Sequence, residues 1–152
     1  MKNIWQEDND YGKLETLTDE ALKKAEEKLG VKLPDSYINL LKQQNGGYLN
    51  YNAHPAEGAS SWAEGYASVD HILGIGLGEE RGILDSGYLI QEWDLPENIV
   101  LISGDGHSWI ALDYRNNETE PTITYIDTEQ QQEIMLANNF EGFINGLVEY
   151  EE

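Results

Sequence analysis

The first third of the chain places apolar residues at helical spacing. Leu22, Ala25 and Leu29 fall on one stripe of a segment that starts at Thr18, which is typical of an amphipathic helix. Thr18 suits the N-cap, because its hydroxyl can accept a hydrogen bond from a free backbone N–H of the first turn. Gly30 suits the position after the last turn, where the backbone becomes left-handed. The pattern therefore predicts a helix from Thr18 to Leu29.

A second helix is predicted after a short link. Pro34 suits the first helical position, and Tyr37 and Leu40 repeat the i, i+3 spacing. Asn45-Gly46-Gly47 then ends the helix, because glycine favours non-helical backbone. Because only residues 31–33 connect the two helices, we expect the helices to pack side by side as a hairpin.

The middle of the chain loses the helical period. Residues 47–52 and 68–74 are each predicted to form a short strand, and residues 53–68 between them a long loop. The glycine-rich stretch 74–78 is predicted to be irregular. Apolar spacing returns in residues 83–94, which predicts a further helix.

A β-meander is predicted in the second half of the chain. Residues 99–103 form an apolar run, residues 104–107 have the turn sequence Gly-Asp-Gly-His, and residues 108–114 supply the return strand. A polar connection leads to a third strand at residues 122–127. Turn-forming residues separate the runs, as expected for antiparallel neighbours.

The chain ends in a predicted helix from Asn139 to about Tyr150. Phe140, Phe143 and Leu147 lie at i, i+3 and i+7, a face wide enough to cover a sheet. The order of elements predicts an α+β fold: a mostly antiparallel sheet with the N-terminal helical hairpin and the C-terminal helix packed against it. No repeat or linker divides the chain, so we expect a single domain over residues 1–152.

The charge is distributed unevenly along the chain. The 29 acidic and nine basic residues give a net charge of −20. Up to Lys42 there are nine acids against seven lysines, whereas from Gln43 onward there are 20 acids against Arg81 and Arg115. An acidic surface can serve solubility alone or attract a basic partner, and both interpretations stay open. Binding to nucleic acid or to an anionic membrane is disfavoured, because both are polyanions.

The composition excludes several classes of protein. Because the chain contains no cysteine, a disulfide-stapled secreted domain and cysteine chemistry are excluded. Apolar residues make up 39% of the chain and aromatic residues 10%. These fractions are enough to form a hydrophobic core and are higher than those of a disordered acidic tail. No apolar stretch approaches the roughly 20 residues of a membrane helix, and the first eight residues lack the apolar run of a signal peptide. We therefore expect a cytoplasmic location.

No motif for catalysis, a metal or a cofactor is complete. The glycine run 74–78 lacks the last glycine of a dinucleotide fingerprint, since Glu79 stands there, and no phosphate-loop lysine follows. His54, His71 and His107 are too widely spaced to form a metal-binding pair motif. We therefore expect neither enzymatic activity nor a cofactor nor a metal site.

Three tryptophans bear on where a partner could bind. Trp62 lies in the long loop among small residues, where it could anchor an interface or fold back over the sheet. Trp109 falls on the opposite strand face from Ile110 and Leu112, so we expect it on an exposed or cleft side of the sheet. Trp93 is expected in the core.

Three segments carry a family resemblance. The first runs from Leu33-Pro34-Asp35-Ser36-Tyr37 to Asn45-Gly46-Gly47, the second from Leu95-Pro96-Glu97-Asn98 to Gly104-Asp105-Gly106, and the third contains Asn139-Phe140-Glu141-Gly142-Phe143. In this order and spacing they resemble the SUKH superfamily, which includes the yeast cell-wall assembly regulators and many bacterial immunity proteins. The resemblance covers about residues 18–148.

The resemblance implies both a fold and a role. It implies an α+β domain without catalysis or cofactor and, for bacterial members, an antidote that binds and neutralises a polymorphic toxin, often a nuclease. A nuclease holds phosphates with basic side chains, so an acidic surface could occupy its active site as a phosphate mimic. The expected partner is thus a basic, nuclease-like toxin. The predicted contact residues are acids and tryptophans that follow Lys42: Glu57, Trp62, Glu64, Asp70, Glu79, Glu80, Asp105 and Trp109.

Two other functions remain open from the sequence. The eukaryotic relatives suggest an intracellular regulatory scaffold that binds several partners. A small-ligand binder or an enzyme could use a cleft beside the sheet near Asp105 and Trp109.

Overall fold

The structure, a computed structural model, describes residues 4–6, 14–56, 65–76, 82–104, 108–115, 120–128 and 131–149. The helices are α1 (Asp19–Leu29), α2 (Asp35–Gln43), α3 (Ser86–Glu92) and α4 (Phe140–Asn145), with a 3-10 turn (Ile83–Asp85) before α3. The strands are β1 (Gly47–Tyr48), β2 (Ala53–Pro55), β3 (Tyr66–Ser68), β4 (His71–Ile72), β5 (Ile99–Gly104), β6 (Ser108–Asp113), β7 (Thr122–Asp127) and β8 (Gln132–Ala137). The predicted α+β class is confirmed. None of the helices in the described ranges has the length and apolar character needed to cross a membrane.

The two N-terminal helices form much as the sequence predicts. Thr18 Oγ1 accepts a hydrogen bond from a first-turn backbone N–H at 3.1 Å, and Gly30 adopts a φ of 73° after the last turn of α1. Pro34 differs slightly from the prediction, because it is the N-cap of α2 rather than its first helical residue. The backbone N–H of Leu33 donates to Glu26 Oε2 at 2.7 Å, which ties the link between the helices back to α1.

A four-stranded antiparallel sheet in the order β5-β6-β7-β8 is the largest sheet of the described chain. On the face that we call the inner face, Ile102, Ile110 and Tyr125 are at most 1% exposed. They belong to the larger hydrophobic core, together with Tyr37 of α2 and Phe140 of α4, whose rings meet edge to face at 5.1 Å. The helical hairpin and α4 therefore pack on the inner side of the sheet.

The opposite, outer face of the sheet is buried as well. Leu101, Trp109 and Ile126 form a second, smaller core with Leu95 and with partly buried side chains of α3. Trp109 is only 6% exposed, so the expectation that it lies on an exposed or cleft side is wrong. Strands that are apolar on both faces require cover on both faces, and α3 with the segment after it provides that cover.

The ring of Trp109 on β6 occupies space that Gly104 leaves free on the neighbouring strand β5. The two residues are paired partners of β5 and β6, and a Cβ added at Gly104 would overlap the six-membered ring of Trp109. Only a residue without a side chain leaves room for the indole there. Gly104 was predicted to belong to a turn, but it is the last residue of β5, where it leaves room for Trp109 in the second core.

The prediction of one long loop over residues 53–68 is wrong at both of its ends. β2 and β3 pair antiparallel, with Ala53 opposite Ser68. β1 pairs with β4, and both strands are shorter than predicted. Just after β4, the N–H of Leu73 donates to Ile102 O of β5 at 2.7 Å. Strands of two or three residues are too short to show an alternating pattern, so sequence periodicity does not reveal them.

The last part of the chain differs most from the prediction. β8 has no counterpart among the predicted strands, although Ile134 on one face is partly buried and Met135 on the other is 59% exposed. The final helix ends at Asn145 rather than near residue 150. Val148 leaves the helical path to form a β-bridge with Ala53 of β2, with backbone hydrogen bonds in both directions. The pairing with β2 replaces the last turns of the predicted helix.

The His54 ring packs against the end of α4. It stacks on Phe143 with the ring centroids 5.2 Å apart, and a Cβ added at Gly146 would stand 2.6 Å from His54 Nε2. His54 is 6% exposed, and its Nδ1 lies 2.8 Å from Pro55 O. This histidine therefore serves packing between β2 and α4.

We expect Gly104→Ala to lower the free energy of unfolding by about 1–3 kcal/mol, because the added methyl group overpacks the second core against Trp109. Urea denaturation followed by far-UV circular dichroism measures the loss. Gly87→Ala is the matched control, since Gly87 lies in α3 and an added Cβ there has no atom within 4 Å. We expect the free energy of unfolding of Gly87→Ala to stay the same or to rise by up to about 1 kcal/mol, because alanine has a higher helix propensity than glycine. Equal losses in both variants would contradict the packing role of Gly104.

Candidate functional site

Six of the eight predicted contact residues lie outside the described residues. They are Glu57, Trp62, Glu64, Glu79, Glu80 and Asp105. The structure places the other two, Asp70 and Trp109, so the grouping of all eight on one contact surface stays a prediction.

Asp70 is exposed beside the ends of β5 and β6. It lines a small cleft with Gly104 and Ser108, the described residues that flank 105–107. The hydrogen bond between its carboxylate and His71 Nδ1 outweighs partial burial and holds the pKa of Asp70 below its ordinary value. Asp70 is therefore an ionised carboxylate that a partner can reach from solvent.

Trp109 and Asp70 lie on different sides of the sheet. The cleft beside Asp70 also contains Ile110, which belongs to the inner-face core, whereas Trp109 belongs to the core under α3. Since Trp109 is buried, it is not available as an exposed anchor. The two described members of the predicted contact set therefore do not form one surface.

An open groove lies on the outer side of the sheet, and we call it the outer groove. On one side it is lined by the segment Trp93–Pro96, which follows α3. On the other side it is lined by residues 126–128 and 131–133, at the end of β7 and the start of β8, and its volume is about 500 Å³. Trp93 is 45% exposed, so the expectation that it lies in the core is wrong. Its ring lies next to the buried Trp109, with the centroids 6.3 Å apart. Trp93 therefore presents an exposed aromatic side chain to the groove.

Carboxylates line the outer groove. Asp94 is exposed on one wall, and the side chain of Glu133 is 45% exposed on the other. Asp127 also lines the groove but is only 1% exposed, and it accepts a hydrogen bond from Tyr125 Oη at 3.2 Å. Among the residues that the structure describes, no lysine or arginine lines this groove. Its chemistry thus suits a cationic group.

Arg115 is bound by two carboxylates near the outer groove. Its Nε and Nη2 donate to the two oxygens of Asp113 at 2.9 and 2.8 Å, and Nη2 also donates to Glu133 Oε1 at 2.6 Å. Thr124 Oγ1 donates to Asp113 Oδ2 at 3.0 Å. The network links β6, β7 and β8, and it holds Glu133 in place at the groove wall.

The Arg115 network keeps Asp113 and Arg115 ionised. Burial alone would raise the pKa of Asp113, but the hydrogen bonds from Arg115 and Thr124 together outweigh burial and lower that pKa below its ordinary value. The hydrogen bonds to Asp113 and Glu133 in turn raise the pKa of Arg115. Arg115 is therefore a fixed, paired cation rather than one available to an anionic ligand.

Both walls of the outer groove contain left-handed backbone at residues other than glycine. Asp94 has a φ of 53° and Gln131 a φ of 52°. Aspartate tolerates this conformation better than most residues, whereas for glutamine it is uncommon. Such backbone persists where surrounding structure holds it in place, and it concentrates at functional sites.

The comparison with known families identifies the chain. The model of the SMI1 / KNR4 family (SUKH-1) matches residues 16–146, which contain every described helix and strand. The chain belongs to this family. At the level of the family, SUKH-1 membership supports a role of the toxin-immunity type with a protein partner, and members are generally not catalytic. No curated protein matches the chain.

The described part of this SUKH-1 chain offers no metal centre. Within it, no group of three or more histidine, aspartate or glutamate side chains is placed to hold a metal ion. A second groove, of about 420 Å³, lies at the start of α2 and α4. It is lined by Lys32 as well as by Asp35 and Glu141, so its charge is mixed, unlike that of the outer groove.

Sequence reasoning missed the group formed by Trp93, Asp94 and Glu133. Glu133 lies far from the other two in sequence, and only the pairing of β8 with β7 brings it to the groove. One signal was available, since Trp93 and Asp94 directly precede Leu95-Pro96. A proline there predicts that the helix has ended, so an aromatic side chain just before it stands at a helix boundary.

We expect Asp113→Asn to change how stability depends on pH. A carboxyl group whose pKa is lower in the folded chain contributes stability above its unfolded pKa of about 3.9, and that contribution is lost as the pH falls through the folded pKa. The unfolding free energy of the wild type should exceed that of Asp113→Asn by about 1–3 kcal/mol at neutral pH. The difference should shrink as the pH approaches about 3. Urea denaturation over this pH range measures it.

Asp94→Asn is the matched control for this prediction. Asp94 is exposed and forms no ion pair with the described residues, and asparagine tolerates the same left-handed backbone. Its stability difference from the wild type should stay within about 0.5 kcal/mol. An Asp113→Asn difference that stays constant down to low pH would contradict the role assigned to the Arg115 network.

Proposed function

We propose that this SUKH-1 protein is an immunity protein, which neutralises a cognate polymorphic toxin in the cytoplasm by direct stoichiometric binding. The toxin is a nuclease with a basic active site, and an acidic surface of the chain occupies that site. Membership of the family supports a protein-binding role, and the carboxylates of the outer groove favour a basic partner. The chain itself performs no catalysis in this role.

The proposal depends on one observation, the lack of free lysine and arginine side chains beside the exposed carboxylates of the sheet in the described part of the chain. Among the described residues after Gln43, Arg115 is the sole lysine or arginine, and Asp113 and Glu133 already bind it. Asp94 is exposed and has no ion-pair partner in the described part of the chain. A surface whose few cations are already paired keeps a negative potential, which attracts basic partners and repels polyanions.

A nuclease is the class of toxin that such a surface suits best. Its active site must hold the phosphates of a nucleic acid, and lysine and arginine side chains do this in most such sites. Carboxylates placed in that site pair with the same cations and exclude the substrate. Long-range attraction between the two surfaces also speeds association, which matters for an antidote that must act before the toxin does.

The N-terminal helices are close to electrical neutrality and suit a supporting role. Lys24 pairs with Glu20 at 3.2 Å within α1, and Lys42 pairs with Asp19 at 3.4 Å. These pairs are exposed and add little to stability. The lysines of this part of the chain leave α1 and α2 without the strong negative charge of the residues after Lys42.

We expect co-expression of this chain with the toxin encoded next to it to restore the growth of cells that the toxin otherwise kills. The two purified proteins should form a 1:1 complex on size-exclusion chromatography. The affinity should fall as salt rises, because exposed charges are screened over about 8 Å at physiological ionic strength. Continued killing, or the absence of a stoichiometric complex, would contradict the proposed function.

The Lys23→Glu variant tests where the binding surface lies. Lys23 is exposed on α1, within the nearly neutral part of the chain, so charge reversal there should change the affinity for the toxin by no more than about twofold. Isothermal titration calorimetry measures the change. A large loss of affinity would show that the binding surface includes α1 rather than the acidic region after Lys42.

A further inference from the structure

From the outer groove we infer a docking site for an arginine side chain, presented by a basic segment of the protein partner. This inference rests on the proposed function, since it names the surface and the chemistry by which the toxin is held. The groove brings together an exposed aromatic ring on one wall and carboxylates on both walls. The predicted contact set contains none of Trp93, Asp94 and Glu133.

Trp93 supplies the stacking surface. The second core under α3 positions it, because Trp109 is buried there and the two rings lie 6.3 Å apart at an interplanar angle of 55°. The remaining, solvent-exposed part of the Trp93 indole is free to contact a ligand, at 45% exposure. Tryptophan is the best aromatic partner for a cation placed over its face.

Asp94 and Glu133 supply the charge. Asp94 belongs to the segment after α3 and Glu133 to β8, and both line the groove, so a cation bound there is attracted by both charges. The structure already shows that Glu133 binds a guanidinium, because its Oε1 accepts from Arg115 Nη2 at 2.6 Å. A second guanidinium in the groove would pair with Asp94, which has no ion-pair partner among the described residues, and would share Glu133 with Arg115.

The chemistry of the groove favours arginine over lysine. A volume of about 500 Å³ lies within the roughly 300–1,000 Å³ of sites that enclose small ligands, so one long side chain and its flanking backbone fit. A guanidinium is planar, stacks on aromatic rings and is more weakly hydrated than an ammonium. It can also donate to carboxylates on two sides at once, which a stacked lysine does less well.

A second copy of this chain is a poor occupant of the outer groove. Two chains of charge −20 repel each other. The described outer face offers no free basic side chain to place in the groove, because Arg115 is bound by Asp113 and Glu133. Charge complementarity therefore favours a different, basic protein.

Acetylated and amidated tetra-arginine and tetra-lysine peptides test the inference on the full-length chain. We expect the arginine peptide to shift the indole N–H resonance of Trp93 and the backbone amides of Asp94 and Glu133 in an NMR titration. It should bind at least about threefold tighter than the lysine peptide. Equal binding of the two peptides, or shifts spread over all acidic residues, would overturn the docking site.

Substitutions distinguish peptide binding in the outer groove from non-specific attraction to the negative charge of the chain. Trp93→Leu should weaken binding of the arginine peptide about fivefold, whereas Trp93→Phe, which keeps a ring, should weaken it less. Asp94→Asn with Glu133→Gln should weaken it about tenfold. Glu27→Gln with Glu141→Gln removes the same charge from exposed positions elsewhere and should change binding no more than about twofold. An equal loss in the two double variants would overturn the inference.

The same variants test the docking site and the proposed immunity role separately. If the wild type protects cells from the toxin and Trp93→Leu protects equally well, the groove is not the toxin-binding site, and the immunity role stands. If the wild type does not protect, the immunity role fails, whatever the peptides show. Loss of both peptide binding and protection in Trp93→Leu, with a thermal midpoint like that of Trp93→Phe, supports the docking site.

Discussion

The structure depends on a four-stranded sheet that is apolar on both faces. On β6 alone, Ile110 and Leu112 point to the inner core while Trp109 and Ala111 point to the outer one. Burial of apolar surface is the main favourable term in folding, and neither face can be left in water. Helices must therefore cover the sheet on both sides. The helical hairpin and α4 cover the inner face, and the short α3 with the segment after it covers part of the outer face.

The partial cover of the outer face creates the candidate site. Over β5 and β6 the face is closed by α3, whereas over β8 Met135 is 59% exposed. The outer groove lies at the boundary, between the segment that contains Trp93 and the edge strand β8, which contains Glu133. Arg115 stabilises this boundary by joining three strands through Asp113 and Glu133. Arg115 compensates part of the charge of Glu133, and among the described residues no lysine or arginine lines the groove itself.

Local signals predicted the helices well and the smaller β-elements poorly. The caps at Thr18 and Gly30 depend only on the capping residue and its nearest backbone neighbours. The sequence alone therefore predicts them. The long strands β5, β6 and β7 carry enough apolar residues to be recognised. β2 and β3 are too short for a pattern. The end of α4 is set by the pairing of Val148 with Ala53, and contacts between residues so distant in sequence override local helix propensity.

The sequence by itself determined the α+β class, the family and the excess of acids after Lys42, because each depends on residue types and their order along the chain. Only the tertiary structure decided which of Trp93 and Trp109 is exposed. Strand alternation places Trp109 opposite Ile110, and it does so correctly. The alternation of side chains along a strand contains no information about whether another element covers either face of the sheet. Because α3 packs there, Trp109 is buried and Trp93, at the edge of the covering segment, remains in contact with solvent.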